Sequence, residues 1–179
     1  MGLLKPIRKG KWKAFGVDYR ISDNHLHIYG TNHWAEWLVN FFAFPVKTAI
    51  GKVHLGWWLF TLTIYGEIKS QLLPGFTFSG HSLGGPIVLY LVKACHKKGL
   101  EASRGWTFGS PRVGDKKFAK SYPIPVVRHV TQRDLIPWVP FWFSHVGLKD
   151  YHRIPWTGFR DFFDNHQPAI YRRFTDIKL

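Results

Sequence analysis

The sequence predicts an α/β chain: a mostly parallel sheet flanked by helices, preceded by an N-terminal hairpin. Three observations carry that expectation. From residue 76 onward, short apolar strands alternate with helical stretches. Residues 14–29 read instead as two alternating strands around a polar turn. A hydrophobic fraction of 45%, with 17% aromatic residues, supplies ample core material and excludes a disordered chain. At 179 residues the expectation is one compact domain spanning 1–179.

In the hairpin, Phe15, Val17 and Tyr19 alternate toward a Ser22-Asp23-Asn24 turn, and Leu26 and Ile28 alternate with His25 and His27 beyond it. After Gly30-Thr31-Asn32 come Trp34, Trp37, Leu38 and Phe41, at the i, i+3, i+4, i+7 spacing of one helical face. Asn32 suits the N-cap, and Pro45 marks the stop. A second helix is expected over 56–73, ended by Pro74-Gly75. Phe76 to Ser79 reads as a strand and 84–98 as a helix, with Pro86 in its first turn and Gly99 closing it. A strand at 106–109, a helix at 115–121 and a strand at 125–131 follow. Beyond Asp134 the periodicity weakens, as Pro, Trp and Phe crowd 137–143.

Lys and Arg total 25 against 11 Asp and Glu, a formal charge of +14. Such a field favours anionic partners: nucleic acid, anionic lipid head groups or acidic polymers. Basic residues are densest near the ends (Lys5, Arg8, Lys9, Lys11, Lys13, then Arg172, Arg173 and Lys178). Ordinary solvated surface charge is the simpler reading, so no dedicated nucleic-acid site is expected. Peripheral contact with an anionic membrane surface is compatible with the charge. Cys95 is the single cysteine, which rules out an intrachain disulfide and permits a reducing compartment. The first residues, Met1-Gly2-Leu3-Leu4-Lys5-Pro6, lack the apolar core of a secretory signal. The longest apolar run, Leu55 to Tyr65, falls short of the roughly 18–20 residues that cross a bilayer. A cytoplasmic location is the default expectation.

The chemistry centres on Gly80-His81-Ser82-Leu83-Gly84, between a predicted strand and a predicted helix. Gly-x-Ser-x-Gly in that setting describes a tight turn that lifts a serine hydroxyl above a sheet edge. The helix start behind Ser82 offers amides and a positive dipole end to an oxyanion. A serine needs a base to take its proton, and the base needs an orienting group. On α/β-hydrolase scaffolds the chain order is Ser, then acid, then His. Asp115, Asp134, Asp150, Asp161 and Asp164 are candidate acids, and Asp134 is the best placed because it follows the strand 125–131 directly. By order alone, His145, His152 and His166 stand nearly equal as the base. His25 and His27 alternate on one strand, but no Cys or carboxylate set accompanies them; no metal site is expected, and the chemistry needs no cofactor.

Together with Thr107-Phe108-Gly109-Ser110-Pro111-Arg112-Val113-Gly114-Asp115, the serine segment resembles the class 3 lipases, which are α/β-hydrolases. Gly30-Thr31 followed by Glu36-Trp37-Leu38 is similar to that family's oxyanion loop and lid helix, and Val53-His54-Leu55-Gly56 to its Val-His-x-Gly element. Arg133-Asp134-Leu135-Ile136-Pro137 resembles the region of the family's catalytic acid. His145-Val146-Gly147 resembles a largely structural histidine element, and His166, five residues before Tyr171, its terminal catalytic histidine. The resemblance, over roughly 14–175, implies Ser82 as nucleophile, Asp134 as orienting acid and His166 as general base. It implies an oxyanion hole from the backbone amides of Leu83 and Thr31. Trp34, Trp37, Leu38 and Phe41 are either a core-facing helix or a lid lining the substrate rim, with Phe42, Phe44, Trp138, Phe141 and Trp142 extending an apolar edge. The chain is short for the family, and the close spacing of Asp134 and His166 suggests the loss of a peripheral strand.

The expected function is therefore hydrolysis of a carboxylic ester in an acyl lipid, of triacylglycerol lipase or phospholipase type. The alternatives are a carboxylesterase for small soluble esters, or a basic nucleic-acid- or membrane-binding module on an inactive hydrolase scaffold. The latter rests on Lys11-Trp12-Lys13 and Tyr171-Arg172-Arg173-Phe174, where cations and rings interleave.

Overall fold

The computed structural model describes residues 8–12, 17–30, 44–156, 158 and 164–175. Among strands β1 (Arg8–Trp12), β2 (Val17–Ser22) and β3 (His25–Ile28), each runs antiparallel to the next. The Asp23 and Asn24 backbones take left-handed conformations with φ of 50° and 57°. That is the turn whose twist matches a two-residue hairpin, and short polar residues tolerate it best. Asn24 then accepts from the Leu73 amide at 3.0 Å and donates to the Leu73 carbonyl at 3.2 Å, pinning the turn to a distant loop.

From β3 the sheet becomes parallel. Among the described residues it has seven strands in the order β1-β2-β3-β6-β7-β8-β9, where β6 is Phe76–His81, β7 Ala102–Phe108, β8 Val126–Thr131 and β9 Leu148–His152. Strands β4 (Pro45–Thr48) and β5 (Gly51–His54) form a separate two-stranded ribbon. Pro45, the expected helix stop, opens the first ribbon strand, where a missing amide is tolerated; the helix expected before it lies outside the described residues.

Helix α1 (Leu55–Lys69) starts at His54, whose side chain accepts from the Trp57 amide, and buries Trp57, Phe60, Thr61, Ile64 and Ile68 along one stripe. It stops four residues before the predicted end. Leu72 is buried in the turn that follows, so the apolar spacing outlasts the helix. Helix α2 (Gly84–Lys97) is buried from Gly84 to Lys93, which identifies it as the central helix. Both helices share one core with Ile21, Leu26, Ile28, Phe76 and Phe78 of the sheet. The short helix α3 (Lys116–Lys120) is capped by Asp115, which accepts from the Phe118 amide at 2.6 Å; this assigns Asp115 a structural task. No described helix is long and apolar enough to cross a membrane.

Burial favours the neutral form of five described histidines, His25 and His129 among them, and three are shifted furthest. Burial lowers His27, His81 and His145 from 6.5 to about 3; His25, His166 and Arg128, respectively, are the next largest causes. Between those limits the unfolded chain binds protons that the native chain refuses. Unfolding therefore takes up protons, and stability falls as pH drops from about 6.5 toward about 3. The urea midpoint should accordingly fall between about pH 7 and 5, a range above most carboxylate titration. The fall should be shallower in His145→Gln, whose amide can still donate to the Pro137 carbonyl that His145 Nε2 meets at 2.7 Å. Identical slopes in the two proteins would contradict the assignment.

Candidate active site

Ser82 sits between β6 and α2 with φ of 51°, a left-handed backbone that costs a non-glycine residue about 1–2 kcal/mol. The turn is tight because neighbouring backbones press on it. A Cβ on Gly80 would lie 2.4 Å from the Gly84 carbonyl oxygen, and one on Gly84 would lie 2.2 Å from that of Ile28. Glycine at both places is thus a packing requirement of Gly-x-Ser-x-Gly. The Ser82 amide donates to the Phe108 carbonyl at 2.8 Å, which fastens the turn to the end of β7. Leu83 is the N-cap residue of α2, so its amide lies at the positive end of a 14-residue helix.

Asp134 follows β8, and His166 precedes the short helix α4 (Pro168–Tyr171). The fold brings both to the turn. His166 Nε2 lies 2.7 Å from Ser82 Oγ, and His166 Nδ1 lies 2.9 Å from Asp134 Oδ2. All three are buried. As a carboxylate, Asp134 only accepts, so Nδ1 carries the imidazole proton and Nε2 offers its lone pair to the serine hydroxyl. Two further donors hold the carboxylate: the Ile136 amide at 3.0 Å on Oδ1 and the Tyr171 hydroxyl at 2.5 Å on Oδ2. Burial, together with Asp134 beside it, pushes the Tyr171 phenol well above its ordinary range and keeps it a donor. The sequence offered Tyr171 through its spacing from His166 and within the basic–aromatic run 171–174; its bond to the acid was not readable there.

The loop carrying His166 is secured twice more. Neutral His81 donates from Nε2 to the His166 carbonyl at 2.8 Å, and Thr131 Oγ1 donates to the Asn165 carbonyl at 2.8 Å. His81 occupies a variable position of the elbow pattern, so sequence spacing gave no hint of its role.

The other candidate histidines lie elsewhere. His145 is spent on the Pro137 carbonyl. His152 Nε2 lies 2.9 Å from His129 Nδ1 on the outer strand pair. His25 contacts the Thr77 and Ser79 hydroxyls, each at 2.7 Å, and His27 shares Ser79. Thr31, Trp34, Trp37, Leu38, Phe41 and Phe42 lie outside the described residues, as do Asp161 and the side chains of the Lys11-Trp12-Lys13 segment. Tyr171 is buried on Asp134, and the Phe174 ring stacks on His152 at 4.2 Å, so both rings of the C-terminal basic–aromatic run have internal partners.

Directly after Asp134 the surface turns apolar. Leu135, Trp138, Val139, Phe141 and Trp142 are all exposed, Phe141 at 75%. Arg112 Nη1 pins this segment by donating to the Phe141 carbonyl at 2.9 Å. The Lys149 ammonium lies 5.8 Å from the centre of the Trp138 ring.

Residues 25–144 match the sequence profile of the family described as lipase (class 3), which is well over half of the chain. The chain belongs to the class 3 lipase family. The matched span holds Ser82 and Asp134 and ends before His166, which the fold alone adds. A lipase of Rhizomucor miehei is 32% identical over 143 residues, covering 66% of this chain and 38% of that protein. A Vibrio cholerae serotype O1 protein named toxin TseL is 35% identical over 108 residues, covering 56% of this chain and 17% of the relative. This class 3 lipase chain therefore spans well under half the length of these relatives. Among solved structures, a triacylglycerol lipase from Penicillium expansum superposes with a TM-score of 0.63 at 16% identity, covering 83% of this chain and 69% of that one. The Lip2 lipase of Yarrowia lipolytica gives 0.58 at 19% identity, covering 86% and 66%. The shared architecture is the α/β-hydrolase fold.

Proposed function

We propose that this chain hydrolyses carboxylic esters of acyl lipids through a triad of Ser82, His166 and Asp134. The observation that carries the reading is the continuous contact from Ser82 Oγ through the His166 ring to Asp134, at 2.7 and 2.9 Å within a buried site. His166 Nε2 removes the hydroxyl proton as Ser82 Oγ attacks the ester carbonyl carbon. Asp134 stabilises the resulting imidazolium, assisted by the Tyr171 hydroxyl and the Ile136 amide that hold it in place. The tetrahedral oxyanion is met by the Leu83 amide at the head of α2 and by the backbone amide of Thr31. Each such donor is worth about 10²–10³ in rate. His166 then passes its proton to the leaving alcohol, and the acyl group remains on Ser82. Water deprotonated by His166 attacks the acyl-enzyme, releases the acid and returns the proton to Ser82.

The lipid part of the reading is supported by the exposed rings after Asp134. Trp138, Phe141 and Trp142 suit a boundary between apolar chains and water, and Lys149 beside Trp138 suits an anionic head group. Hydrolysis of a long-chain ester should rise steeply once the ester passes its solubility limit and forms an interface, and should vanish in Ser82→Ala. A rate that tracks only dissolved short-chain ester would make the chain a small-ester carboxylesterase and overturn the lipid assignment.

A further inference from the structure

Away from Ser82, three donor atoms converge on the outer edge of the sheet. The β8–β9 register sets His129 opposite Asp150 and Thr131 opposite His152. Asp150 and His152 are two residues apart on one strand and so share a face. His129 Nδ1 lies 2.9 Å from His152 Nε2 and 3.3 Å from Asp150 Oδ2, and that same oxygen lies 3.7 Å from His152 Nε2. The point equidistant from these three atoms is about 1.9 Å from each, so a cation just above their plane meets all three at the about 2.0–2.2 Å of zinc–nitrogen and zinc–oxygen bonds. A hydrogen bond between the two rings accounts for the shortest side of the triangle. It leaves the carboxylate beyond good hydrogen-bond range of both nitrogens, yet within the span of donors around one cation.

Each imidazole is packed against a phenylalanine ring, and the two imidazoles meet end to end. Phe108 lies parallel to His129 at 4.9 Å and 8°, His129 to His152 at 5.2 Å and 12°, and Phe174 to His152 at 4.2 Å and 10°. Nδ1 of His129 and Nε2 of His152 face each other along that line, so a cation enters as the two rings turn about their side-chain bonds. His129 is buried, while the Asp150 side chain is 51% exposed, so the open side of the group faces water that can complete the coordination.

We propose that His129, Asp150 and His152 bind one divalent transition-metal cation, zinc foremost, which clips the edge strand β9 to β8. Two imidazoles and one carboxylate suit a borderline cation; calcium and magnesium favour oxygen-only sets. Strand β9 is exposed along Leu148–Tyr151 and, among the described residues, pairs only with β8, so a metal bridge supplies a second tether. The sequence pattern hid the site because its carboxylate lies on a different strand from His129.

Chelator-treated, desalted protein should be titrated with zinc chloride alone, by calorimetry and thermal unfolding. The expected result is one saturable site per chain and a higher Tm with zinc. Loss of a direct ligand in Asp150→Asn or His152→Ala should weaken binding by more than the about 10–100-fold typical of removing a group that merely orients a ligand. Asp150→Asn changes an exposed, isosteric group and keeps the fold, which circular dichroism verifies. Absence of a saturable site in the parent protein would overturn the proposal. So would undiminished zinc affinity in both variants.

Discussion

His166→Ala should lower ester hydrolysis by about 10⁴–10⁶-fold, because a serine–histidine pair works as a unit and losing either member removes nearly all of its effect. The expectation follows from position. His166 alone among the described histidines touches both the Ser82 hydroxyl and a buried carboxylate. His152→Ala, fourteen residues earlier in the chain, should leave turnover near the parent rate, since its ring faces His129 and Phe174. Steady-state rates on a soluble p-nitrophenyl ester separate the two. Loss of activity in His152→Ala with retention in His166→Ala would move the base to His152.

The second large effect concerns folding of the elbow. Gly84→Ala places a Cβ 2.2 Å from the Ile28 carbonyl oxygen, an atom of the backbone that no rotamer change can move aside. Ile28 pairs with Gly80 across β3 and β6, so relieving the clash disturbs the ladder beneath Ser82. The expected cost is about 3 kcal/mol or more, at the upper end of overpacking penalties. In a chain of this length that corresponds to a fall of roughly 6–12 °C in Tm. Gly66→Ala is the matched control, because nothing lies within 4 Å of its added Cβ. There alanine should be neutral or stabilising by up to about 1 kcal/mol, reflecting its better helix propensity. A Gly84→Ala protein with parental Tm would contradict the packing account of the motif.

What was legible in the sequence was what local chemistry dictates. The Asp23-Asn24 turn, the elbow glycines and the uninterrupted apolar helix behind them each follow from backbone or burial requirements that leave a mark within a few residues. The parts that stayed hidden depend on distant partners. Strand β9 shows no apolar alternation because nearly all of its side chains face solvent, and the ribbon β4–β5 opens on a proline that reads as a helix stop. The choice among His145, His152 and His166 could not be made from chain order, because it depends on which loop the sheet folds back over Asp134. His81 and the Tyr171 hydroxyl act across more than thirty residues of chain, where neither periodicity nor motif spacing carries information.

The nucleophile itself is the claim on which the rest depends, and it is tested most directly by covalent labelling. Native protein treated with a fluorophosphonate, digested and analysed by mass spectrometry should carry one adduct, on the peptide containing Ser82. The adduct should be absent from Ser82→Ala and from protein unfolded before treatment. An adduct on another residue, or labelling of undiminished intensity in Ser82→Ala, would contradict the account.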